Sequence, residues 1–113
     1  MTDSVKRFDT REEIEFGDLR YSFYFKSDRV TSGIGVLPPS GKGGLDEGHE
    51  GAEEVFAVVK GELTVVLPDS DERYTLAIGD AIIISPGAPH IVENRSNEET
   101  IFTFNISPGL KGI

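Results

Sequence analysis

The sequence predicts an all-β domain, a barrel or jelly-roll sandwich, and three observations point to it. Short apolar segments alternate hydrophobic and polar residues with a period of two. Turn residues, mostly Gly, Pro, Asn and Asp, separate these segments at regular intervals. No segment keeps a helical period over ten residues, and 10–16 is the only weak helical candidate. Many short strands at regular spacing are typical of closed β architectures.

The individual strands follow from this alternation. In RYSFYFK, at 20–26, Tyr21, Phe23 and Phe25 share one face, which is a strand signature. The chain between the later turns divides in the same way, and a hairpin is expected across Gly61 between the third and fourth strands. The predicted strands are 20–26, 30–37, 54–60, 62–67, 73–78, 81–84, 91–93 and 101–106.

Length and composition limit the number of domains and indicate how the chain assembles. A chain of 113 residues is long enough for a single domain, taken as 1–113, that buries roughly two-thirds of its unfolded surface. Residues 1–13 are polar and are expected either to fray or to pair with a neighbouring subunit. The aromatic strand at 20–26 is apolar enough to seek cover on both faces, so a homodimer is expected.

Charge and cysteine content narrow the function classes. The net charge of −9 argues against a nucleic-acid partner, and no apolar run approaches membrane-spanning length. The absence of cysteine excludes disulfides and thiolate chemistry. Together with a charged, signal-free N-terminus, it indicates a cytoplasmic protein.

Two segments carry the candidate chemistry. The first, 41–61, places Glu47, His49 and Glu54 within eight residues and continues as an apolar strand. The second, 79–94, carries His90 after a Pro-Gly turn. Carboxylate and imidazole groups directed into an apolar core need a partner, and a divalent metal is the simplest one. An acidic surface turn would give much the same pattern.

The combined spacing resembles the two characteristic motifs of the cupin superfamily, in particular small single-domain cupins of the cupin 2 type. The segments read Gly41-x5-Glu47-x-His49-x4-Glu54-x6-Gly61 and Gly79-x5-Ser85-x-Gly87-x2-His90-x3-Asn94. The resemblance implies a double-stranded β-helix, the cupin jelly-roll barrel. It also implies one divalent transition metal (Mn, Fe, Ni or Zn).

The resemblance assigns His49, Glu54 and His90 to ligand positions. Glu47 stands where the first motif normally has a histidine, and Ser85 stands where the second normally has proline. Glu47 is therefore a fourth ligand, a catalytic base beside the metal, or a surface residue. The other three form a 2-His-1-carboxylate set, an arrangement known for non-haem iron.

Two function classes stay open at this point. The first is a metal-dependent enzyme with isomerase, lyase or dioxygenase chemistry on a small sugar-like or keto-acid substrate. The second is a non-catalytic module that binds or senses a small molecule. Candidate pocket walls are Tyr24, Phe56, Phe102 and Phe104, although a plain core position is the stronger expectation for most of them.

Overall fold

A computed structural model describes residues 4–110, and these residues form two facing β-sheets. A single 3-10 turn, Phe8–Thr10, precedes the strands. The strands are β1 (Ile14–Phe16), β2 (Leu19–Lys26), β3 (Thr31–Leu37), β4 (Glu53–Lys60), β5 (Leu63–Leu67), β6 (Glu72–Leu76), β7 (Ala81–Ile84), β8 (Ile91–Glu93) and β9 (Thr100–Ser107). The all-β jelly-roll prediction is confirmed.

The larger sheet has six strands in the order β1-β2-β3-β9-β4-β7, and the smaller has three in the order β6-β5-β8. All of the strand pairs are antiparallel. In β4 and β9, buried and less buried residues alternate, so one face of each strand packs inward between the sheets. Phe56, Val58, Leu63, Val65 and Phe102 belong to this core.

Two expectations from the sequence are wrong. Thr10–Phe16 contains no α-helix, because Ile14–Phe16 pairs with β2 as a short strand. The hairpin across Gly61 does not form, because β4 already has β7 and β9 on its two edges. The chain instead crosses at Gly61 from the larger sheet to the smaller, where β5 pairs with β6 and β8.

The aromatic strand β2 is interrupted by a register shift between Phe23 and Phe25. A bulge of this kind breaks the two-residue alternation. Tyr21 and Phe23 therefore line the interior cavity, whereas Phe25 is exposed. The part of the N-terminal segment that covers residues 1–3 lies outside the described residues. Within 4–110 there is no helix long and apolar enough to cross a membrane.

Candidate metal centre

A backbone bridge joins the two motif segments at one end of the barrel. Asp46 and His90 lie directly opposite each other and exchange two backbone hydrogen bonds, of 2.9 and 2.8 Å. Directly opposed residues of an antiparallel pair project to the same face. The side chains of Asp46 and His90 therefore enter the barrel together.

Strand β4 and the loop before it supply the other two side chains. Glu54 is on the buried face of β4 and is only 5% exposed. The backbone oxygen of His49 accepts hydrogen bonds from Ala52 N at 3.1 Å and from Gly87 N at 3.0 Å. These bonds hold the His49 loop against the turn that leads to His90.

Four side-chain atoms converge on one point. His90 Nε2 lies 3.1 Å from Glu54 Oε1 and 3.4 Å from Asp46 Oδ2. His49 Nε2 lies 3.6 Å from each of the same two oxygens. Ligand atoms about 2.1 Å from a common metal ion are separated by about 3.0 to 3.4 Å in octahedral or tetrahedral arrangements. The observed spacing is close to that range, so the four groups fit a single small cation.

Hydrogen bonding also suits a metal centre. When the His90 imidazole is neutral and its proton is on Nδ1, Glu54 Oε1 and His90 Nε2 are two buried acceptors with no hydrogen-bond donor among the described residues. Buried polar atoms without partners are uncommon, because leaving them unpaired costs free energy. His90 Nδ1 lies 3.0 Å from the carbonyl oxygen of Ala88. Donation of the Nδ1 proton to that oxygen leaves Nε2 with a free lone pair, as is usual for a histidine ligand.

A backbone hydrogen bond orients the Asp46 carboxylate, as the bond to Ala88 orients the His90 ring. Its Oδ1 accepts a hydrogen bond from Gly48 N at 2.9 Å, which leaves Oδ2 directed toward the histidines. Gly48 has a φ of +92° and packs closely against the turn at Gly87 and Ala88. The loop conformation thus sets both the position and the orientation of this carboxylate.

The electrostatics of the cluster follow from two carboxylates facing two imidazoles. Burial opposes the ionisation of Asp46, yet the contacts with His49 and His90 outweigh it and hold the pKa of Asp46 well below its usual range. Burial likewise opposes the protonation of His90, but Asp46 and Glu54 raise its pKa to about 10. The contact with Asp46 also raises the pKa of His49. Positive charge is therefore strongly stabilised at this point.

The cluster faces an internal cavity of about 430 Å³. This volume is within the range of small-molecule sites. Phe56, which lies 5.6 Å from the His90 ring between centroids, connects the cluster to the apolar walls. Three of the four expected wall residues, Phe56, Phe102 and Phe104, line this cavity. Tyr24 does not line it, whereas Tyr21 and Phe23 do.

The structure brings together three of the four predicted site residues. His49, Glu54 and His90 meet as described, and the second carboxylate that meets them is that of Asp46. Glu47 is exposed and lines the cavity at some distance from this contact set. Sequence reasoning missed Asp46, because a straight strand from 47 to 49 would point residues 47 and 49 inward. The Asp-x-Gly pattern at 46–48, typical of a side-chain-stabilised turn, was the available signal.

Comparison with known proteins agrees with this architecture. The family model described as the cupin domain, Cupin_2, matches residues 33–106. An uncharacterized protein of Methanocaldococcus jannaschii is 25% identical over 95 residues, covering 84% of this chain and 74% of the relative.

Two solved structures share the fold. KdgF from Halomonas superposes with a TM-score of 0.80 at 16% identity, covering 97% of each chain. A predicted oxalate decarboxylase from Thermotoga maritima superposes with a TM-score of 0.79 at 19% identity, covering 92% of this chain and 98% of that one. At these identities the likeness is one of fold.

Proposed function

The chain belongs to the Cupin_2 family of cupin domains, and we propose that it is a metal-dependent enzyme acting on a small molecule. The observation that supports this is the convergence of two carboxylate oxygens and two imidazole nitrogens beside a cavity. The proposed ligands are Asp46, His49, Glu54 and His90.

The donor set favours particular metals. Two carboxylates and two neutral imidazoles neutralise a divalent cation completely, and carboxylate oxygens favour harder ions such as Mn or Fe over Zn. Bound there, such an ion would polarise an oxygen atom of the substrate as a Lewis acid. Isomerase and lyase chemistry fit this role, and dioxygenase chemistry fits if the metal is iron.

Glu47 is the side chain we assign to proton transfer. It lines the cavity next to Asp46 but is exposed, so its carboxylate is free to accept a proton from a bound molecule. If Glu47 is this base, Glu47→Gln removes the proton acceptor while keeping the size of the side chain. Turnover should fall roughly 100-fold with metal content unchanged.

The alternative is a binding or sensing module without catalysis. The specific observation in its favour is that, apart from the proposed ligands, Glu47 and Tyr21 are the only ionisable side chains within residues 4–110 that line the cavity. Few groups are thus available to move protons. Two results together would support this second class. The wild-type protein would turn over none of the ligands that it binds, and the Glu47→Gln variant would bind metal and ligand as the wild type does.

The metal assignment is tested with a matched pair of neighbouring carboxylates. Asp46→Asn should weaken Mn²⁺ or Fe²⁺ binding by at least about 100-fold, because a direct ligand is lost. Glu47→Gln makes the same chemical change one residue away and should leave the metal affinity unaltered. Elemental analysis of the purified proteins and calorimetric titration of the metal-free forms provide the measurements. Equal affinities for the two variants would remove Asp46 from the ligand set.

A further inference from the structure

The wall of the cavity beyond the ligand cluster is aromatic. The rings of Phe56 and Phe102 pack edge to face at 5.3 Å, and Phe56 also contacts the His90 ring. A second group of rings, with centroids 5.4 to 6.2 Å apart, lies in the same cavity and comprises Tyr21, Phe23 and Phe104. The apolar surface therefore begins directly beside the proposed metal ligands.

The larger sheet makes room for these rings. Gly33 and Gly35 of β3 lie opposite Phe104 and Phe102 of β9. A Cβ at Gly35 would lie 2.5 Å from the Phe102 ring, and one at Gly33 would lie 2.6 Å from the Phe104 ring and 1.9 Å from the backbone oxygen of Ser22. A side chain at Gly35 would push the Phe102 ring, whereas one at Gly33 would collide with strand β2 as well as with Phe104.

The same wall lacks the groups that polar substrates require. No Lys or Arg of the described chain lines the cavity, and neither does any Ser, Thr, Asn or Gln. A carboxylate or phosphate on the substrate would have no cationic side chain to pair with, and the charge of a bound divalent ion would already be balanced by Asp46 and Glu54. Apart from the proposed ligands, the hydroxyls of a sugar would find only Tyr21 and Glu47 as side-chain partners among the described residues, and unpaired buried hydroxyls oppose binding.

Glu47 adds to this discrimination. Its side chain lies at the exposed part of the cavity, in a protein with a net charge of −9. Leu45, which is 51% exposed, lines the cavity close by. An approaching anion thus meets a carboxylate and an aliphatic side chain, and the repulsion disfavours its entry.

We propose that the substrate is an uncharged molecule with one oxygen-bearing head and an apolar, preferably aromatic, body. The head is directed to the ligand cluster and the body to Tyr21 and Phe23, the rings of the aromatic wall that are only partly buried. This assignment rests on the proposed function for the role of the head, and it replaces the sugar-like or keto-acid class expected from the sequence.

Four small probes that share a hydroxymethyl group next to a carbonyl or carboxylate carbon distinguish apolar, hydroxylated and anionic ligands. In hydroxyacetone the head carries a methyl group, and in 2-hydroxyacetophenone a phenyl ring replaces that methyl. Dihydroxyacetone adds a hydroxyl instead, and glycolate carries an anionic oxygen. Binding of each to the Mn²⁺-loaded protein is measured by calorimetry or by ligand-observed NMR.

Burial of the phenyl ring should make 2-hydroxyacetophenone bind about 10- to 100-fold more tightly than hydroxyacetone. Dihydroxyacetone and glycolate should bind no more tightly than hydroxyacetone. Glycolate or dihydroxyacetone binding as tightly as the phenyl compound would overturn the assignment. Failure of 2-hydroxyacetophenone to bind at millimolar concentration would overturn it as well.

A charge introduced at the cavity supplies a second test that does not disturb the core. Leu45→Lys should increase the affinity for glycolate about two- to fivefold, as expected for an exposed ion pair, and leave hydroxyacetone unchanged. Ile83→Lys is the matched control, because Ile83 is 58% exposed on β7 and does not line the cavity. An equal effect of both variants on glycolate would show that net charge, rather than the cavity, controls selectivity.

The proposed substrate class and the proposed metal site are contradicted by different measurements. Metal titration of the same samples decides the proposed function by itself. The preference for phenyl over methyl is also measured in the metal-free protein, where it depends only on the aromatic wall. A protein that binds Mn²⁺ but prefers glycolate contradicts the substrate class alone. A protein that binds no metal yet keeps the phenyl preference contradicts the metal site alone.

Discussion

Protons compete with a metal ion for His90. Burial opposes protonation of this imidazole, but the carboxylates of Asp46 and Glu54 raise its pKa to about 10, which favours the protonated form at pH 7 when no metal is bound. The pKa of His49 is raised as well. Metal ligation requires neutral imidazole, and the bound metal therefore competes with protons for the same nitrogens.

The metal affinity should decrease as the pH falls. Below a pKa of about 10, each unit decrease in pH increases the proton competition at His90 tenfold. We predict that metal affinity falls about 10-fold or more per unit as the pH decreases from 8 to 6. Calorimetry in PIPES and Tris buffers, which differ in ionisation enthalpy, should show at least about one proton released per metal ion at pH 7. An affinity independent of pH would contradict this arrangement.

At the level of residues, the sequence identified His49, Glu54 and His90 because motif spacing is local and easily read. It did not identify Asp46, because the choice between residues 46 and 47 depends on which of them lies opposite His90. That pairing joins segments far apart in the chain, and no alternation within either segment reveals it. The role of Glu47 as ligand or base stays a prediction.

The ligand-bearing loop depends on Gly48. A Cβ at this position would lie 2.6 Å from the backbone carbon of Gly87 and 2.8 Å from the Ala88 oxygen. Backbone atoms at such distances cannot move aside without shifting the turn that precedes His90. We predict that Gly48→Ala destabilises the protein by roughly 1–3 kcal/mol and weakens metal binding, because it separates Asp46 from His90.

Gly51 provides the control for this prediction. It has a positive φ of 77°, but no atom lies within 4 Å of its Cβ position. Gly51→Ala therefore introduces backbone strain of about 1 kcal/mol without a steric clash. Urea denaturation should rank the two variants, and only Gly48→Ala should lose metal affinity. The same loss in both would indicate that backbone strain, and not the close contact, is responsible.

At the level of elements, the alternation predicts every strand from β2 onward to within two residues. It does not predict β1, because three residues are too few to establish a period. It also does not predict the crossing at Gly61. Consecutive strands joined by a short turn usually pair, and only the occupied edges of β4 exclude it here.

At the scale of the whole molecule, β1 is an edge strand of the larger sheet, and its outer edge has no partner strand in the part of the chain that the structure describes. All three of its residues are exposed, including Ile14 and Phe16. An exposed apolar edge strand favours pairing with another chain. We therefore predict a homodimer that uses the N-terminal strands.

Light scattering at micromolar concentration tests the dimer. The wild-type protein should give twice the monomer mass of 12.3 kDa, and Ile14→Lys should shift it toward monomer. Ile83→Lys, on the opposite edge strand β7, should leave the dimer intact. A monomer mass for the wild type, or dissociation by the β7 variant alone, would contradict an interface at β1.

The bridge between Asp46 and His90 has a further consequence in a chain that contains no cysteine. A cation held by both residues would tie the two motif segments together and close a long loop, as a disulfide does in other small domains. Such a cross-link lowers the conformational entropy of the unfolded chain and so stabilises the folded one. Availability of the ion would then control the lifetime of the protein against proteolysis, and a shortage of the ion would lower the amount of folded protein.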